Sequence, residues 1–251
     1  MNVLLAVYFT AAGMVVSSFC SAAGMRLAAS ESVWSPPSNC PVCIQPIKKR
    51  DLVPCCSYLY LGGKCRFCKN RISAIHPLME GAGGVLFFLA FVRFGLTAEL
   101  AAAFLLISYL FIITISDITA MIIPDRVSLL FFLGAVLLKF FWLEEPAWSE
   151  SFIGAFTGLF LISAIILATR GGMGGGDLKI FIVLGFFFGP PLLAVNFIAA
   201  VFTASIVIFL LYPFGIFKKG MPFPFAPAIA AGSLFTLFAG EACLKWYLAF
   251  L

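Results

Sequence analysis

Four acids stand in or beside apolar stretches of this 251-residue chain: Glu80, Asp117, Asp125 and Asp177. A carboxylate placed centrally in a bilayer costs about 3 kcal/mol on insertion scales, so a retained one ordinarily has a task. Asp117 sits in Ile115-Ser116-Asp117-Ile118-Thr119-Ala120, apolar on both sides, and Asp177 closes Gly171-Gly172-Met173-Gly174-Gly175-Gly176. Two neighbouring carboxyls do not both ionise readily, so they share a proton and titrate as a pair. The ionised member can take a proton from water while the protonated one polarises a peptide carbonyl, which is aspartic peptide-bond hydrolysis. A carboxylate-coupled transporter, relaying protons through lone acids, fits the same composition, as does a non-catalytic zinc-bearing assembly scaffold. Asp125 follows Pro124 at the start of a helix, an N-cap setting, and is kept as an accessory candidate. Glu80, also accessory, pairs with Arg71, faces the same cavity as the aspartates, or is a snorkelling surface acid.

Five glycines between 171 and 176 would cost about 1 kcal/mol each inside a helix, so the sequence predicts a non-helical segment there. Backbone without side chains lets another chain approach and pair as an added strand. Gly174, Gly175 and Gly176 are therefore the expected substrate-binding loop.

The second chemical cluster is thiol. Cys40-Pro41-Val42-Cys43 and Cys65-Arg66-Phe67-Cys68 are separated by 21 residues, and two such CxxC knuckles offer four sulfurs to one tetrahedral zinc ion. Lys64, Arg66, Lys69 and Arg71 would offset the charge of the thiolates. Binding free energy would also fold a segment too short to build a core of its own. Cys55 and Cys56 read as small core hydrophobes, and Cys20 and Cys243 as packing residues in apolar helices.

These groups must be positioned by a bilayer protein. Hydrophobic residues make up 63% of the chain and charged ones 11%, with thirty phenylalanines against one histidine, His76, which a following proline marks as a boundary residue. That composition excludes a soluble enzyme, a disordered segment and a nucleic-acid binder. Apolar runs near 2–28, 75–94, 98–116, 127–143, 151–169, 178–190, 192–213 and 224–250 predict an all-α polytopic membrane protein of about eight transmembrane helices. Two prolines after Gly189 break the sixth from the seventh. With the N-terminus outside, thirteen Lys and Arg residues face inward and only Arg93, Lys139 and Lys245 face outward, while Glu144, Glu145 and Glu150 gather on the outer side. Arg26 follows the first apolar run instead of preceding it, the pattern of a retained helix and not of a signal peptide. The organisation expected is a first transmembrane helix over 1–28, a cytosolic four-cysteine zinc-binding subdomain over 29–73, and a membrane-embedded peptidase core over 74–251. Parity puts Asp117 and Asp177 at the inner ends of their spans.

In order and spacing these residues resemble the type IV prepilin peptidases, leader peptidases of the GxGD intramembrane aspartyl class. The likeness runs through the cysteine segment, Leu61-Gly62-Gly63-Lys64-Cys65, His76-Pro77-Leu78-Met79-Glu80, Asp117 with Ile123-Pro124-Asp125, Gly174-Gly175-Gly176-Asp177 and Pro224-Phe225-Ala226-Pro227. It is most similar to the leader peptidases that serve competence pseudopilins of Gram-positive bacteria. The resemblance implies cleavage of the basic leader of prepilin-like pseudopilin substrates at the cytoplasmic face of the cell membrane, with Asp117 and Asp177 as catalytic pair. It implies zinc at the cysteines, and in many members methylation of the new N-terminus with S-adenosylmethionine. Two departures, Ser17-Ser18-Phe19-Cys20-Ser21 and Ile75-His76-Pro77, fall in the half of the chain that the resemblance links to methylation.

Overall fold

Backbone amides and carbonyls have no water to bond in hydrocarbon, so apolar runs of this kind close their hydrogen bonds within helices. The computed structural model describes residues 2–34, 38–170, 172–215 and 223–250. Its helices are α1 (Val3–Ala28), α2 (Cys56–Tyr60), α3 (Ile75–Phe94), α4 (Ala98–Ala120), α5 (Asp125–Phe141), α6 (Trp148–Ala168), α7 (Gly175–Leu211) and α8 (Ala226–Leu248), with short 3-10 turns at Lys49–Leu52 and Tyr212–Phe214. Among the described residues there is no strand, only two isolated bridges.

Six helical stretches, α1, α3, α4, α6, α7 with the turn after it, and α8, are long and apolar enough to cross a membrane. The expected eight are reached only by counting two further segments. Helix α5 has 17 residues, or about 25 Å of rise. Helix α7 is interrupted at Gly189, where φ is 72° and ψ 172°, a left-handed conformation that glycine adopts freely. Phe181 and Phe197 meet edge to face with ring centroids 5.7 Å apart, whereas sixteen residues of straight helix would separate them by about 24 Å. The chain therefore folds back at Gly189-Pro190-Pro191, as the prolines predict, and α7 is two arms.

The chain divides into two units, Met1–Leu96 and Thr97–Leu251. In the first, α1 crosses α3 so closely that a Cβ on Gly83 would lie 2.2 Å from Ser17 Oγ. Small residues at such crossings let dispersion act between backbones, the main attraction between helices in lipid. In the second unit α4 is the most enclosed helix, with Ile107, Tyr109 and Ile113 fully buried, and it packs against α5 and α8. The first arm of α7 meets α6 through Gly154 and Gly185, where a Cβ on Gly154 would stand 2.1 Å from the Gly185 carbonyl oxygen. Large apolar side chains such as Phe156, Phe160, Phe202 and Phe209 point outward, as lipid contact requires.

Candidate active site and metal centre

Helix α4 runs one turn beyond the expected end at 116, so Asp117 lies inside its last turn and not beyond it. Met121 ends the helix in a left-handed conformation, returning its N–H to the Asp117 carbonyl at 2.8 Å, and Ser116 Oγ donates to the Ile122 carbonyl at 2.7 Å. These contacts turn the loop sharply toward α5. The Asp117 carboxyl is 8% exposed, and its Oδ2 accepts the Ala226 N–H at 2.8 Å. Ala226 is the first residue of α8, whose leading N–H groups have no intrahelical acceptors and carry the positive end of the helix dipole. A carboxylate from α4 thus caps a helix 109 residues further along the chain.

Asp177 caps its own helix. It is the third residue of α7, its Oδ2 accepts the Gly174 N–H at 3.2 Å, and its N–H donates to the Gly174 carbonyl at 3.1 Å. The α4–α5 loop is seated against this first turn at Gly176, where a Cβ would meet Ile123 Cγ1 at 2.8 Å. A second link joins Asp125 to Lys179. Asp177 itself is half-buried. Among the described residues each carboxylate accepts a protein donor on Oδ2.

Three expectations need correction here. Gly175 and Gly176 are helical, and only the residues up to Gly174 stay outside α7, with Gly171 outside the described residues. The first turn of a helix needs no intrahelical acceptor for its amides, and the Asp177 cap offsets the glycine cost. Asp125 is not the N-cap of α5. Pro124 holds that position, and the exposed Asp125 side chain turns to Lys179 instead. Glu80 does not pair with Arg71 among the described contacts: Oε1 accepts from Ser18 Oγ at 2.6 Å and Oε2 from the Cys55 N–H at 2.7 Å. It ties α1, the cysteine segment and α3 together.

The four cysteine sulfurs, of Cys40, Cys43, Cys65 and Cys68, all lie within 4.8 Å of one another. Cys40 and Cys68 are 3.8 Å apart and Cys43 and Cys65 4.0 Å. Sulfurs at 2.3 Å on a tetrahedral zinc are separated by about 3.8 Å, so the donor set and its spacing fit that ion. The two knuckles repeat one hydrogen-bond pattern. The Ile44 N–H donates to the Cys40 carbonyl at 2.9 Å and the Lys69 N–H to that of Cys65 at 3.1 Å, each from a residue with φ near 59°. Amides of Cys43 and Val42 aimed at Cys40 bring its thiol down to about 6, poised to ligate as thiolate. Arg66 grips Asp51 with two hydrogen bonds, at 2.8 and 2.5 Å, and holds that carboxyl below the usual range. Cys55 and Cys56 are not core residues. Cys55 is half-buried with φ 57° beside Glu80, and Cys56 is exposed.

Sequence reasoning assigned no contact to Ala226, Ile123, Ser18 or Lys179. Prolines at 224 and 227 were the available signal for the first, since they fix where α8 starts and hence where its bare amides point.

Residues 11–94 match the Bacterial Peptidase A24 N-terminal domain, and residues 104–213 match the Type IV leader peptidase family. A prepilin leader peptidase/N-methyltransferase of Bacillus subtilis (strain 168) is 36% identical over 94% of this chain and 95% of its own length. Proteins of the same name from Burkholderia pseudomallei, 34% identical, and Aeromonas salmonicida, 29% identical, each align with 85% of this chain and with 71% and 75% of their own lengths. No solved structure matches significantly.

Proposed function

The chain belongs to the type IV leader peptidase family, and from that premise we propose that it cleaves the basic leader from type IV prepilin-like membrane proteins with Asp117 and Asp177 as its catalytic pair. What supports the assignment is that the two carboxylates lie in one unit, each fixed through Oδ2 at a helix N-terminus. A water held between the Oδ1 atoms gives its proton to the ionised carboxylate as its oxygen attacks the scissile carbonyl carbon. The other, protonated carboxyl hydrogen-bonds the carbonyl oxygen, and the resulting diol collapses with proton transfer to the departing amine. The extended backbone at Gly174, immediately before α7, offers amides and carbonyls for strand pairing with an unwound cleavage segment. Glu80 and Asp125 serve as supports in this scheme, one tying helices and one anchoring the loop.

The distribution of Lys and Arg supports an N-out chain with the cysteine segment and the aspartates on the cytoplasmic side. The likeness to competence leader peptidases supports pseudopilins as substrates. The cysteines would hold zinc as a structural ion. The names of the relatives support a second activity, methylation of the freed N-terminus by S-adenosylmethionine. Purified protein incubated with a prepilin, with the product read by mass, tests all of this. A trimmed product establishes cleavage, and the added mass of one methyl group in place of hydrogen establishes methylation. Coupled ion flux without a new N-terminus would instead identify a transporter. Full biological function of Asp117→Asn and Asp177→Asn variants would identify a scaffold.

A further inference from the structure

The segment between α1 and α3 carries Lys48, Lys49, Arg50, Lys64, Arg66, Lys69 and Arg71 against two acids, Glu31 and Asp51. Arg66 is engaged by Asp51, and a four-thiolate zinc centre, with a charge of about −2, offsets two more cations. The rest exceed what the fold uses, and all six cations other than Arg66 are exposed. Apolar side chains stand among them: Val42, Ile44 and Phe67 are 59%, 73% and 47% exposed. Lys48 Nζ lies 5.8 Å from the centre of the Phe67 ring, and Lys64 faces Arg71 across an isolated bridge. The converging sulfurs bring both knuckles into one small body, so these groups share a surface.

The tether decides what that surface meets. Helix α3 has 20 residues, about 30 Å of rise, which matches the hydrocarbon thickness and puts Ile75 at its edge. Arg71 is four residues away, no more than about 13 Å of extended chain. Arg71 and its bridge partner Lys64 are therefore held at the depth of lipid headgroups, where an exposed aromatic ring and basic side chains are both favoured. We propose that the second knuckle is a membrane-surface contact. Lys64, Lys69 and Arg71 hold anionic phospholipid headgroups, and Phe67 enters the interface beside Lys48.

The full-length, zinc-loaded chain is reconstituted in vesicles of phosphatidylcholine alone or mixed with phosphatidylglycerol, and amide exchange is followed over residues 64–72. Exchange slows roughly fivefold or more in the anionic vesicles at low salt and recovers in high salt. A Lys64→Gln/Lys69→Gln/Arg71→Gln variant that keeps its zinc loses the lipid dependence. In a second measurement Phe67→Trp fluorescence is quenched by brominated acyl chains in anionic vesicles beyond the wild-type background. Equal exchange in both lipids at low salt, or an unquenched tryptophan, overturns the proposal. So does protection that arises only when an acidic protein is added.

Discussion

The cysteine segment and the aspartate pair are built in opposite ways. Between residues 38 and 73 only Cys40 is buried, and its order comes from knuckle turns, one ion pair and four sulfurs that converge on a point. Around Asp117 much of α4 is enclosed, and the carboxyl is held by a helix that begins 109 residues later. The first region draws its shape from turns that gather four sulfurs, the second from close helix packing. The proposed cleavage chemistry, which tolerates no misplacement, is assigned to the second.

Substitutions can break that contrast. The largest effect is expected at the aspartates. Asp117→Asn and Asp177→Asn keep an oxygen to accept the capping amides, so the helices persist while leader cleavage falls at least about 100-fold. Gel assay of prepilin processing beside circular dichroism checks both halves. Next, Cys40→Ser/Cys43→Ser or a strong chelator removes zinc and opens residues 38–73 to protease, because metal binding free energy is folding free energy there. Resistance of residues 97–251 to the same protease stays near wild type, and its loss would erase the distinction between the regions. Gly176→Val thrusts a side chain into Ile123 and costs about 1–3 kcal/mol of overpacking, with cleavage reduced because the loop that follows the Asp117 turn of α4 shifts from α7. Thermal unfolding and turnover measure it. The smallest effect is at Lys179→Met, which removes an exposed ion pair worth about 0–1 kcal/mol and changes melting little.

The same contrast explains what could be read in advance. Knuckle geometry is local, so Cys40, Cys43, Cys65 and Cys68 announce their fourfold site through spacing alone. The apolar runs announce helices, and the prolines after Gly189 announce the reversal that Phe181 and Phe197 record. Asp117 and Asp177 could be placed at a common depth by counting spans, but nothing in their neighbourhoods names Ala226 as the amide that receives Asp117. Long-range caps of this kind leave no periodic trace. Glycine counting failed at 175 and 176 because propensity scales describe helix interiors, whereas a first turn stabilised by a carboxylate obeys end rules. Asp125 misled for a related reason: Pro124 already occupied the capping position, which freed the acid for Lys179.

The Asp177 oxygen that receives the Gly174 amide belongs to the side chain assigned to catalysis, so winding of the α7 N-terminus and turnover are not independent. Each protonation of that carboxylate slackens the opening turn beside the extended glycine backbone, and each deprotonation tightens it again. The enzyme's grip on its substrate strand would thereby be paced by the proton it passes.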